Sequence, residues 1–223
     1  MLVLVIDTSS AAVTAGIVEI SATERAEDIG VRAEQTTIDG KSHGELLTPS
    51  IKQALQASKL AMSDLTAVIA GVGPGPFTGL RVGLITAAAI SDALQIPSYG
   101  VCSLDAIAST ALTNDRLLVA TDARRREVYW AVYYNGVREG EPNVGKAAEL
   151  TVDAAAMAGA GARQYQDVLG LPLLDNDYPT VVGLARCAAD RVRNHAPAEL
   201  LVPLYLRRPD AVEPAARKSV INR

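Results

Sequence analysis

The 223 residues suffice for one large domain or two smaller lobes, each able to bury a core. With 49 % hydrophobic and 21 % charged residues, the composition is that of an ordinary soluble globular protein. A formal net charge of −4 argues against a protein that holds nucleic acid strongly through phosphate contacts of its own, leaving Arg124-Arg125-Arg126 and Arg207-Arg208 as local basic runs.

In chain order, Leu2 to Ile6 is a fully apolar run and predicts a central buried strand. It reaches Asp7 too early, and without basic residues before it, to be a signal peptide. No apolar run approaches the length of a membrane span, so a cytoplasmic protein is expected. Asp7-Thr8-Ser9-Ser10 is a polar turn, either an Asx/ST turn or a hairpin that presents hydroxyls and N–H groups to an anion. Val13 to Ile20 and Ile29 to Ile38 complete a predicted antiparallel meander.

Ser42-His43-Gly44-Glu45 has the form of a capping box. The helix that it opens carries Leu46, Leu47, Ile51, Ala54 and Leu55 along one stripe, and Pro49 predicts a local kink. Ala67 to Val72 predicts a strand, followed by the loop Gly71-Val72-Gly73-Pro74-Gly75-Pro76-Phe77-Thr78-Gly79 and a second helix. The loop matches neither a Walker A nor a dinucleotide-binding fingerprint. It reads as a tight turn or as a backbone cradle for an anion. Along the second helix Gly79, Gly83, Ala87 and Ser91 recur every four residues, a flat face suited to the sheet beneath or to another helix.

Beyond Ile96-Pro97 come a strand at Tyr99 to Val101, a helix from Ser103 to about Leu112, and strands at Arg116–Thr121 and Glu127–Tyr134 around the turn Asp122-Ala123-Arg124-Arg125. Residues 135–146 read as a Gly-rich connection, residues 180–195 as an amphipathic helix, and 209–223 as a flexible tail. This order predicts an α/β fold of two lobes, 1–105 and 106–208.

Catalytic candidates are few. His43 and His195 form no paired-His motif, so no metal site is expected. Cys102 and Cys187 are far apart and fit packed thiols in a reduced compartment. Gly-x-Ser-x-Gly is absent.

Five segments together resemble the TsaB (YeaZ) family: Val5 to Ser10, Ser42 to Pro49, Gly71 to Gly83, Asp122 to Arg125 followed by Glu127 to Tyr129, and Pro203-Leu204-Tyr205-Leu206-Arg207. The resemblance runs from residue 1 to about 210. It implies an actin-like (ribonuclease H-like) fold, two lobes each with a mixed sheet flanked by helices. It implies a non-catalytic partner of TsaD and TsaE in the threonylcarbamoylation of adenosine 37 in tRNAs that read codons beginning with A. The implied partner interface is Leu46, Leu47, Ile51, Ala54, Gly79, Arg81, Gly83 and Ala87, with self-association as a homodimer when TsaD is absent. Asp7, Thr8, Ser9, Ser10, Gly73 and Gly75 would be vestigial phosphate or nucleotide loops. No cofactor is implied for catalysis, ATP or ADP is an open occupant of the complex, and tRNA is reached only through the complex.

The catalytic relative's metal-binding His pair falls here at about Ser103 and Ile107, neither a plausible ligand of that kind. Arg126 stands where such families often carry Gly, and predicts a local change in that hairpin because arginine disfavours positive φ. Two other functions compete with the scaffold: an actin-like ATPase or kinase binding Mg-ATP through Asp7 and Gly73–Gly75, and a glycoprotease-like peptidase, for which the sequence offers no supporting motif.

Overall fold

A computed structural model describes residues 1–22 and 29–207. The expected tail at 209–223 lies outside the described residues. Strands β1 (Leu2–Asp7), β2 (Ala12–Ile20), β3 (Ile29–Ile38), β4 (Ala67–Gly71) and β5 (Ser98–Val101) form one sheet in the order β3-β2-β1-β4-β5. β1 pairs antiparallel with β2 and parallel with β4, which pairs parallel with β5.

β1 is apolar throughout because both its faces are covered. Leu4 and Ile6 pack beneath helices α1 (His43–Ser58) and α2 (Phe77–Leu94) with Leu47, Ile51, Leu80 and Leu84. Val3 and Val5 point the other way, to α6 (Val181–Arg193) with Val181, Leu184 and Ala188. That alternation is the two-residue period of a strand. The division expected at residues 105 and 106 is thus crossed by α6, which returns from the second half of the chain to cover the first sheet.

The second sheet has the order β8-β7-β6-β9, with β6 (Leu117–Asp122), β7 (Glu127–Tyr134), β8 (Val137–Lys146) and β9 (Ala156–Ala158). Helix α3 (Ser103–Ala108) packs Leu104 and Ile107 against Leu117, Val119 and Tyr133. The first turn of α4 (Ala160–Gln164) approaches β6 through Gly161, whose Cβ position lies 2.6 Å from the Thr121 carbonyl carbon. A single turn, α5 (Gln166–Leu169), follows. The architecture is the expected actin-like α/β fold with two mixed sheets flanked by helices.

Several local expectations need correction. Residues 135–146 are not a loose connection but β8, opened by a tight turn with positive φ at Asn135 (49°) and Gly136 (74°). Their low apolar content hides a strand because β8 is an edge, with Val137 exposed. The capping box does not form: the Ser42 hydroxyl donates to Asp39 Oδ2 at 2.9 Å, so the nearby carboxylate draws it from the helix end. Helix α1 nevertheless continues through Pro49. Helix α3 ends before Leu112, which is 96 % exposed. Finally, α2 is, by length and composition, apolar enough to cross a membrane, a length that small residues concealed in the sequence. Its Leu80, Leu84 and Ala87 are spent on the core.

Candidate functional site

The loops singled out in the sequence converge where the carboxyl ends of β1 and β4 meet the start of α2. Asp7 is buried at the end of β1. Its Oδ1 accepts from Ser9 N at 2.9 Å and from Ser9 Oγ at 2.8 Å, and its Oδ2 accepts from Ser103 Oγ at 2.6 Å. Burial pushes its pKa above the usual carboxylate value, against the lowering effect of these hydrogen bonds. Thr8 donates its hydroxyl to the Gly79 carbonyl at 2.8 Å and accepts from Gly83 N at 3.0 Å. Gly73 N, at positive φ, donates to Ser103 Oγ at 3.3 Å. His43 Nε2 donates to the Ser10 carbonyl at 2.7 Å, which fixes its protonated nitrogen.

Asp7, the Thr8 hydroxyl, Ser9, Gly73 N and Ser103 are therefore bonded to one another or to the start of α2. Space agrees with bonding. A Cβ on Gly75 would lie 2.1 Å from the Ser9 carbonyl oxygen, and one on Gly71 would lie 1.7 Å from Asp7 Oδ2. The two loops touch backbone to backbone. Ser103 is the residue that sequence reasoning missed as a partner. It had signalled only as the position of a relative's histidine. Ile107 is fully buried in the core, and among the described residues no group of three His, Cys, Asp or Glu side chains could hold a metal.

The expected interface residues divide. Arg81 is exposed and Leu46 half-buried, but Leu47, Ile51, Ala54, Gly79, Gly83 and Ala87 are buried within the chain. The small-residue face of α2 is a seat for this chain's own β1–β2 turn, since added Cβ atoms would meet Thr8 O at 3.1 Å from Gly79 and Thr8 Oγ1 at 2.4 Å from Gly83. The outer side of α2 instead presents Phe77, Arg81 and Ile85. There the Arg81 guanidinium lies 5.0 Å over the Phe77 ring, Phe77 stacks on Tyr205 at 5.0 Å, and a shallow groove of about 350 Å³ runs beside Ile85 and Leu201.

A second cavity, about 260 Å³, opens between the sheets beside Ser10, Gly40, His43, Asp122 and Arg124. Buried Thr121, which also lines it, has an Oγ1 without a hydrogen-bond partner among the described residues. Above the cavity stands the β6–β7 turn. Arg124, Arg125 and Arg126 all adopt left-handed φ, of 62°, 54° and 62°. The turn is thus positive in φ despite Arg126, against the sequence expectation, at a cost of roughly 1–2 kcal/mol per residue. Its base is fixed by Arg124 N donating to Asp122 Oδ1 and by Arg207, which donates to the Ala123 carbonyl at 2.8 Å and pairs with Glu127 at 2.9 Å.

Known proteins share this fold. A family model described as "TsaD: tRNA N6-adenosine threonylcarbamoyltransferase" covers residues 20–167. The solved structure of YeaZ from Pseudomonas aeruginosa superposes with a TM-score of 0.75 at 26 % identity, over 92 % of this chain and 99 % of that one. The chain belongs to the TsaB (YeaZ) family. TsaB of Escherichia coli is 36 % identical over 107 residues, 45 % of this chain and 46 % of that protein. Uncharacterized mycobacterial proteins are more similar: that of Mycobacterium tuberculosis H37Rv is 49 % identical over 94 % of this chain and 93 % of its own length. That of Mycobacterium leprae is 50 % identical, but the match spans only 56 % of the relative's length.

Proposed function

We propose that this chain is the non-catalytic TsaB subunit of tRNA threonylcarbamoyladenosine biosynthesis. It binds TsaD, with TsaE joining the pair, and supports transfer of the threonylcarbamoyl group to adenosine 37 of tRNAs that read codons beginning with A. The setting is the cytoplasm. The observation that carries the reading is the Asp7–Ser103 bond at 2.6 Å. The carboxylate that would hold a metal or a water in an active relative is committed to this chain's own hydroxyls. Neither TsaD-type metal position offers a ligand.

The partner surface is the outer side of α1 and α2, centred on exposed Arg81 and Ile85, with half-buried Leu46 at its edge. Helices offered as a pair make a four-helix contact with an equivalent pair. Without TsaD the same face serves a second copy, because a two-fold patch is self-complementary. ATP or ADP is an occupant of the assembled complex with TsaD and TsaE.

Size-exclusion chromatography with light scattering, on the chain alone and mixed with its cognate TsaD, tests this. A stable heterodimer is expected, with self-association in its absence. No complex at micromolar concentration, together with ATP turnover by the chain alone, would overturn the scaffold in favour of an actin-like ATPase.

A further inference from the structure

We infer that the β6–β7 turn is a phosphate-backbone contact for the tRNA, presented by this subunit and read through Arg125 and Arg126 with Arg124 at its base. The inference rests on the tRNA-modification reading above. Left-handed φ is ordinarily left to Gly or Asn, and then at single residues. Three arginines in succession hold it here. The next hairpin of the same sheet, between β7 and β8, places Asn135-Gly136 at its two positive-φ positions. Strain kept where a relaxed solution serves next door points to the side chains as its purpose.

The three side chains are exposed at the hairpin tip of a chain whose net charge is −4, and because the Arg124 guanidinium pairs with Asp122 at 3.4 Å, the local positive charge centres on Arg125 and Arg126. Guanidinium groups present a donor fork matched to phosphate oxygens. Arg124 also reaches across the cavity, its Nη2 lying 3.2 Å from the Cβ position of Gly40, and exposed Lys41 follows in that loop. The basic surface therefore draws on both lobes, and Arg207 holds the turn rigid from below. A rigid array of cations at a tip suits the regular phosphates of a folded RNA.

The test is the double variant Arg125→Gly, Arg126→Gly. Glycine relieves the backbone, so the melting midpoint should stay or rise while tRNA binding falls. Anisotropy of a labelled, unmodified tRNA transcript is read with the chain–TsaD complex and with the chain alone, at about 50 and 150 mM salt. The variant complex should bind about ten-fold more weakly, with a shallower salt dependence. Unchanged tRNA affinity beside intact TsaD binding overturns the inference and leaves the scaffold standing. Lost TsaD binding with intact tRNA affinity makes the turn a protein contact and overturns it as well. If wild-type chain fails to bind TsaD, the scaffold reading falls. Equal tRNA affinities of wild-type and variant chain alone would then dismiss the RNA contact too, while a difference retains it.

Discussion

The hydroxyl of Thr8 bridges two backbone groups of α2 one turn apart, donating to Gly79 O at 2.8 Å and accepting from Gly83 N at 3.0 Å. The β1–β2 turn is thereby locked to the helix start, and a Cβ on Gly83 would stand 2.4 Å from that hydroxyl oxygen. Gly83→Ala should destabilise the fold by about 1–3 kcal/mol. In a double-mutant cycle Thr8→Ala should recover part of that loss, because the clash disappears with the hydroxyl. Additive losses in urea unfolding would refute the contact. Gly83→Leu should damage the monomer itself.

Asp7 titrates above the ordinary carboxylate range because it is buried. The folded state therefore binds a proton more readily than the unfolded one between the ordinary carboxyl value of 3.8 and the raised folded value. In that window the Asp7 contribution to stability rises as pH falls, and it is lost as pH climbs through the folded value. Asp7→Asn should flatten this component. The check is the wild-type minus variant difference in unfolding free energy between pH 4 and pH 8, and a difference independent of pH would contradict it.

The thiols of Cys102 and Cys187 are pushed up by burial to about 12 and about 11. Thiolate is the reactive form. Both cysteines should resist a thiol reagent at pH 8 in the native protein and react in denaturant. Rapid modification of either in the native state would show that its packing is wrong.

Arg81 is exposed over Phe77 and contributes little to the core. Arg81→Glu should leave the melting midpoint within a few degrees of wild type and weaken the complex with TsaD at least ten-fold, as for a central charged anchor. Undiminished binding in titration calorimetry would move the interface off α2.

Arg207 pairs with Glu127 while both remain about a quarter exposed, so Arg207→Ala should cost at most about 1 kcal/mol. Its larger effect should be local. Amide exchange at residues 123–127 should quicken, while β1 and β4 stay protected. Unaltered exchange in that hairpin would remove Arg207 as its support.

The amino-acid sequence alone specifies the strands and helices whose periodicity reflects burial, from the apolar β1 to the stripe of Leu47, Ile51 and Ala54 on α1. It also determined the two loops, because Gly, Pro, Asp, Ser and Thr mark backbone geometry directly. It did not reveal β8, whose edge position leaves no apolar pattern, or the Ser103–Asp7 bond, which joins residues 96 apart. Nor could spacing say what the flat face of α2 meets. A row of small residues specifies close approach but not the neighbour, and only tertiary packing placed Thr8 there. The same holds for the arginine turn. Sequence predicted that Arg126 would avoid positive φ, a local preference of modest size. The pairing of β6 with β7, the Asp122 acceptor and the Arg207 brace outweigh it, because long-range contacts fix both ends of the turn and leave its three tip residues no other path.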